Sequence, residues 1–356
     1  MVVVVTTPVH IVAYGARTPL GLHAAASAAA YRAGISAARE HPFLIDRAGD
    51  PMTAACDQAL DPRLTGHARW LALIETALRE ACSVMDGWSH AGYRIPLLLA
   101  LPELRPGFGE HDARAIRAGV MSITGLSIEI SDVIVSTKGH AAGLALLAVA
   151  TEQMRQGATE ICLVGGVDSY FDPDTLEWLD NNRQLVGKVS RSAFVPAEGA
   201  ACCLLTTESV RARFGLSALA TVRTVAVGRE SKVIKSDDIC LGEGLTGVVK
   251  RASSHLLRPA ETINTVICDI NGERYRGEEW GFVCLRAGEY FDDPTGYWSP
   301  ADGWGDTGAA SGPLFAMLAC EAALRGYAPG SRTLLWAGSE QGLRAAALLD
   351  APLLAN

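Results

Sequence analysis

Two runs rich in β-branched residues bracket an apolar helix near the middle of this chain. Ile130 to Thr137 reads as a strand, Ala141 to Gln156 as a helix with Leu144, Leu147, Ala148 and Met154 on one face, and Glu160 to Val164 as the next buried strand. Gly157 stops the helix and Gly165-Gly166 ends the second strand, so the three elements form one βαβ unit. Gly139-His140-Ala141-Ala142-Gly143 occupies the strand-to-helix turn. The backbone N–H groups at such a helix start lower a thiol pKa and stabilise an oxyanion, which makes the turn a nucleophile's position. Its occupant here is the imidazole of His140.

The same patterning organises the rest of the chain. His10 to Gly15 predicts a first strand, His23 to Ala33 an Ala-rich helix, Leu71 to Met85 an amphipathic helix and Ile95 to Leu101 an apolar strand, followed by a loop from Pro106 to Arg117. Pro173 to Asn182 predicts a helix and Ala200 to Leu205 a strand. A second series repeats this order: a strand at Ala220 to Val227, a helix at Gly247 to Leu257, a strand at Thr265 to Ile270, a helix at Gly308 to Arg325, and paired strands at Thr333 to Ala337 and Arg344 to Leu349. Two series in one order predict a duplicated α/β unit, divided near residue 212 into halves 1–212 and 213–356.

Composition narrows the classes of function. With 49% hydrophobic residues over 356 positions the chain can bury a large core, and its many glycines and few aromatics suit helices packed on a parallel sheet. A net charge of −8 with Lys and Arg scattered singly argues against a nucleic-acid partner. Nine cysteines form no CxxC pair, and Cys162, Cys202, Cys203, Cys268 and Cys284 fall in apolar runs, as expected of reduced thiols in a cytoplasmic protein. Met1 to Val5 is too short for a secretory core, and no stretch is long and apolar enough for a membrane span.

In this order the chain resembles the thiolase-like superfamily, and within it the β-ketoacyl synthases that condense acyl chains on carrier proteins. The resemblance rests on Val9-His-Ile-Val-Ala-Tyr-Gly-Ala-Arg-Thr-Pro-Leu-Gly21, Tyr31-Arg-Ala-Gly-Ile-Ser36, Gly157 to Gly166, Phe194 to Gly199 and Gly305-Asp-Thr-Gly-Ala-Ala-Ser-Gly312, which together span nearly the whole chain. It implies a five-layered αβαβα fold. It also implies a Cys nucleophile, two His residues that hold the thioester carbonyl, and a Lys near the second His. The resemblance places His140 at the Cys position, Asn271 at the first His, Asp306 at the second His and Ala301 at the Lys, while the closing loop that carries an oxyanion-hole N–H becomes Gly338-Ser-Glu-Gln341-Gly342. Every reactive side chain differs, and Glu340 and Gln341 stand where small or apolar residues belong.

These replacements oppose condensation. An acyl-imidazole on His140 would hydrolyse rather than persist, and an ionised Asp306 would set negative charge beside a developing enolate. Two readings remain. One is a catalytically degenerate protein that retains the fold and acts by binding, as a homodimer, as a heterodimer with a ketosynthase-like subunit, or as an adaptor or chaperone for an acyl carrier protein or an effector protein. The other is an acyl thioester or ester hydrolase, or an acyltransferase, in which a hydrogen-bonded His140–Asp306 dyad acts as general base. Convergence of His140, Asn271 and Asp306 into a filled, inactive cavity is the expectation that favours the first.

Other motifs carry less. Gly242-Glu-Gly244-Leu-Thr-Gly247 matches GxGxxG but lacks a buried strand before it at Lys235-Ser-Asp-Asp-Ile, so no dinucleotide cofactor is expected. Glu273, Arg274, Tyr275, Arg276, Glu278 and Glu279 read as a solvated helix start, with an altered polar mouth as the alternative. Asp168, Asp172 and Asp174 read as turn and capping residues rather than a metal site, and no histidine has a ligand-spaced partner.

Overall fold

The computed structural model describes residues 2–86, 94–188, 190–233 and 238–353. Trp88, His90 and the Lys235-Ser-Asp237 part of the segment before the GxGxxG match lie outside them. The first half of the chain forms β1 (Val2–Arg17), α1 (Ala24–Arg32), β2 (Arg39–Ile45), β3 (Pro51–Ala54), α2 (Gly66–Cys82), β4 (Arg94–Leu101), α3 (Glu110–Met121), β5 (Glu129–Thr137), α4 (Ala142–Arg155), β6 (Ile161–Ser169), α5 (Pro173–Asn181), β7 (Glu198–Thr207) and α6 (Glu208–Arg213). The second half forms β8 (Ala220–Arg229), α7 (Glu243–Ser253), β9 (Thr265–Cys268), α8 (Arg274–Ala287), β10 (Tyr297–Trp298), α9 (Ala301–Trp304), α10 (Ser311–Leu324), β11 (Arg332–Gly338) and β12 (Leu343–Asp350).

The sheet records the duplication. Its ten strands run β10-β9-β11-β12-β8-β1-β7-β6-β4-β5, and within each half the order is first, fifth, fourth, second, third. Directions match as well. In the first half β4 is parallel to β5 and β6, and β7 is antiparallel to β6 and β1; in the second, β9 is parallel to β10 and β11, and β12 is antiparallel to β11 and β8. Antiparallel pairing of β1 with β8 joins the halves. The β2–β3 hairpin stands apart as a second small sheet.

Helix character decides the layering. Every residue of α10 from Ser311 to Ala323 is buried, and α4 is apolar over most of its surface. Such helices need sheet on both sides, and α4 and α10 lie back to back in the central core, between strands of the two halves. α2 is amphipathic and covers the outer face of the first half, with Trp70, Leu73, Ile74, Ala77 and Leu78 buried against it. α7 and α8 cover the outer face of the second. The result is αβαβα. Along β1, Val9 and Ile11 face the central core and the consecutive Val12 and Ala13 the outer one, because a register shift between Ile11 and Ala13 in the pairing with β7 interrupts the alternation.

Three expectations need correction. The segment from Pro106 to Arg117 is not one loop: Gly109 starts α3, whose buried Ala113, Ile116 and Val120 pack under α2. The helix expected at Gly247 begins four residues earlier, at Glu243. The charged cluster from Glu273 is a helix start but not a solvated one, since Glu273, Arg276 and Glu279 are buried while Arg274 and Glu278 face outward.

Candidate functional site

β5 runs into a single 3-10 turn, Gly139–Ala141, which opens α4. Gly139 holds a positive φ of 67°, and a Cβ there would sit 3.0 Å from Cγ of Glu103. Glycine at this position therefore both makes the turn and admits a neighbouring side chain. His140 follows, buried at the helix tip.

Asn271 comes from the turn after β9, and Asp306 from the loop between α9 and α10. The fold brings all three together. Asp306 Oδ1 and Oδ2 lie 2.9 and 3.0 Å from Nε2 of His140. Oδ2 also accepts from Nδ2 of Asn271, and Oδ1 from the Tyr170 hydroxyl at 3.3 Å and from the Gly308 N–H at 2.7 Å. Asp306 is 3% exposed and His140 7%, so neither charge is shared with bulk water.

Burial alone would lower the imidazole pKa, but the Asp306 carboxylate outweighs it and the net direction for His140 is upward. For Asp306, burial alone would raise the pKa, and His140, Arg276 and Asn271 together hold it well below the usual carboxylate range. Both shifts favour the proton on the imidazole and the negative charge on the carboxylate.

A second buried network supports the first. Arg276 donates to Oδ2 of Asp269 at 2.6 Å, to Oε2 of Glu273 at 3.1 Å and to the Gly338 carbonyl at 2.8 Å. The Gly338 N–H returns to Asp269 at 2.7 Å, which ties the end of β11 to the end of β9. Gln184 bridges Glu273 and Glu340. Ser339 caps the helix tip: its Oγ accepts the Ala141 N–H at 3.0 Å and donates to the Lys138 carbonyl. Gly342, at φ 100°, closes the loop by donating to the Ser339 carbonyl and accepting from Glu230. On the far side, Arg105 spans Asp168 at 2.7 Å and stacks over the Tyr170 ring at 4.3 Å.

The centre is filled on one side only. Toward Trp304 a void of about 10 Å³ remains, lined by Cys268, Asn271, Ala301 and Asp306 among others. Toward the closing loop a cavity of about 280 Å³ reaches His140 past Glu103, Leu104, Arg105, Tyr170, Trp178, Phe194 and Gln341. The expectation of a filled cavity thus holds behind Asp306 and fails in front of His140. Among the described residues lining the larger cavity there is no cysteine or serine. Cys268 faces the Trp298 carbonyl with its thiol pushed well up by burial, and Cys284 faces the Pro294 carbonyl.

Asp172 caps α5 by accepting from Asp174 and Thr175, as read from the sequence. Asp168 is instead part of the Arg105 network. No group of three or more metal-ligating side chains occurs among the described residues. The GxGxxG turn is closed from within, since the Gly244 N–H donates to Glu230 at 2.8 Å. Glu103, Arg105, Tyr170, Asp269 and Ser339 did not stand out in the sequence. Glu103 had one signal, its position two residues past the carboxyl end of the parallel strand β4, where open α/β sheets place ligand contacts.

Residues 73–211 match the family model described as β-ketoacyl synthase, N-terminal domain. No curated protein sequence matches the chain. Among solved structures it is similar to the ketosynthase from module 6 of the bacillaene synthase of Bacillus subtilis 168, with 13% identity, TM-score 0.74 and coverage of 97% of this chain and 72% of that one. It is similar to a chain of AntDE:AntF, a type II polyketide synthase acyl-carrier protein in complex with its ketosynthase bound to the hexaketide, with 15% identity, TM-score 0.78 and coverage of 97% and 99%. The ishigamide ketosynthase/chain length factor gives 20% identity, TM-score 0.70 and coverage of 97% and 99%. At these identities the likeness is one of fold. Among the described residues no helix is long and apolar enough to cross a membrane. The chain has the thiolase-like fold of ketosynthases, with residues 73–211 matching the β-ketoacyl synthase N-terminal domain.

Proposed function

We propose that this protein does not condense acyl chains and works by binding, as a partner subunit for a ketosynthase-like chain or its acyl carrier protein. One observation carries the reading: at the helix tip where a thiolate would be needed stands His140, with its Nε2 held by both oxygens of the buried Asp306. An acyl group on that imidazole would hydrolyse rather than be passed on, and the Asp306 carboxylate beside it opposes a developing enolate. The helix-tip N–H of Ala141 is already used by Ser339, so the usual electrostatic aid to an oxyanion is lacking there as well.

The partner reading draws on the neighbours, one a ketosynthase/chain length factor and one a ketosynthase in complex with an acyl carrier protein. It also draws on β5, an edge strand of the sheet with Ile134 exposed, which offers its free side to a second chain. In this reading the halves 1–212 and 213–356 act as one unit, in the cytoplasm. The test is intact-mass spectrometry after incubation with an acyl-carrier-protein thioester and a malonyl donor, together with co-purification of a co-expressed ketosynthase. An acyl adduct or a chain-extended product would overturn the reading. A monomer that captures neither partner would remove the partner role.

The cavity in front of His140 favours one second reading, a general-base hydrolase or acyltransferase. Because the imidazole pKa is raised, such an activity would increase with pH up to that value and vanish in His140→Ala. Equal hydrolysis of acyl thioesters by the two proteins would remove it.

A further inference from the structure

Arg105 and Arg276 line the same cavity from different elements, one from the loop after β4 and one from the first turn of α8. Their side chains are only 8% and 2% exposed. Arg105 spends Nη2 on Asp168 and the Ser169 carbonyl, and Arg276 spends Nε on Glu273 and Nη1 on Asp269 and the Gly338 carbonyl. Nη1 of Arg105 and Nη2 of Arg276 are left with no hydrogen-bond partner among the described residues, and neither is fully enclosed by protein. Nε of Arg105 is enclosed and unpaired as well. A guanidinium can only donate and keeps its charge, so an unused N–H on a buried arginine costs free energy until an acceptor meets it. The cavity of about 280 Å³ is the space from which such an acceptor can come.

We propose that the cavity in front of His140 binds a small ligand through an oxygen acceptor carried on an apolar body, with Nη1 of Arg105 and Nη2 of Arg276 as the donors. Pro102, Leu104, Leu179 and Phe194 supply the apolar wall for that body. Glu103 and Glu340 line the cavity too, so its field is mixed in sign. What the two arginines impose is therefore an acceptor and not a charge. A carbonyl oxygen and a carboxylate oxygen both qualify, whereas an ammonium head, which has no lone pair, does not. This assignment rests on the reading of the protein as a binder, which is judged separately by acylation and by partner capture.

The test is isothermal titration, near neutral pH, of butyl methyl ketone, hexanoate and hexylammonium into the wild-type protein and Arg105→Lys. The probes have the same number of carbons and differ in their heads. Wild type is expected to bind the ketone or hexanoate at least about tenfold more tightly than hexylammonium, the worth of one hydrogen bond from a charged donor. The tighter of those two identifies the source of the oxygen, a neutral carbonyl or a carboxylate. Arg105→Lys keeps a cation beside Asp168 but loses the planar fork that carries Nη1, and should lose at least about fivefold for that ligand while leaving hexylammonium unchanged. Three results would overturn the idea: no binding of either acceptor probe, hexylammonium bound as tightly as both of them, or a folded Arg105→Lys that keeps full affinity. The wild-type order of affinities decides the matter even if the lysine variant does not fold.

Discussion

Replacing Asp306 by Asn tests whether the centre is an ion pair. The substitution keeps the shape, removes the charge, and turns one oxygen into an N–H₂ group. Breaking a buried pair by removing one partner costs about 3–5 kcal/mol, and the lower end applies because His140 can shed its proton. The new amide also confronts a donor on one side: Asn271 donates to Oδ2 and the Gly308 N–H to Oδ1, so one of them loses its acceptor, for about 1 kcal/mol more. The sum is about 4 kcal/mol; at about 2.1 cal/mol/K of unfolding entropy per residue over 356 residues, it lowers the melting temperature by about 5 °C.

The pH dependence makes this prediction specific. The raised His140 pKa contributes stability that is fully present below the imidazole's unfolded value of 6.5 and is lost as pH rises through the folded value. The lowered Asp306 pKa contributes stability present above the unfolded value of 3.8 and lost as pH falls through its folded value. The gap between wild type and Asp306→Asn in urea unfolding should therefore be widest between these two unfolded values and narrow on the alkaline side. A gap that stays constant from mildly acidic to strongly alkaline pH would refute the ion pair.

Three further outcomes are expected. His140→Cys should not confer condensation, because the new thiol lies against the Asp306 carboxylate; its alkylation midpoint should exceed the ordinary thiol pKa of about 8.5, and a midpoint a unit or more lower would contradict this. Arg69→Ala should destabilise by about 3–5 kcal/mol in denaturant titration, since it strands the fully buried Glu198 that Arg69 holds through two bonds of 2.6 Å. Gly312→Ala should lose about 1–3 kcal/mol or more, because its Cβ would meet the Leu144 N at 2.9 Å where α10 crosses α4; an unchanged melting temperature would show that the two helices can separate there.

Local sequence determined the elements and, through them, the architecture. A β-branched run such as Ile130 to Thr137 prefers extended backbone, a largely apolar helix such as Ser311–Leu324 has to be covered on every side, and glycines at 139 and 157 mark where the chain turns. Those preferences act over a few residues, which is why both series of strands and helices could be read in order. The strands β2 and β3, the helices α3, α6 and α9, and β10 were not read from the sequence, two of them for plain local reasons. The glycines and proline at 106–109 masked the start of α3, and the two-residue β10 is too short to form a pattern.

Tertiary structure decided the charges. Whether Arg276 faces water or Asp269 depends on a loop 62 residues away that offers the Gly338 carbonyl, and the hydrogen bond that Glu103 accepts from the Gln341 N–H depends on one 238 residues away. His140 and Asp306, 166 residues apart, could be paired beforehand only through the resemblance. A charged side chain carries the same local signal whether solvated or paired in the interior, because its free energy is set by the dielectric and the counter-charge that the folded chain places around it.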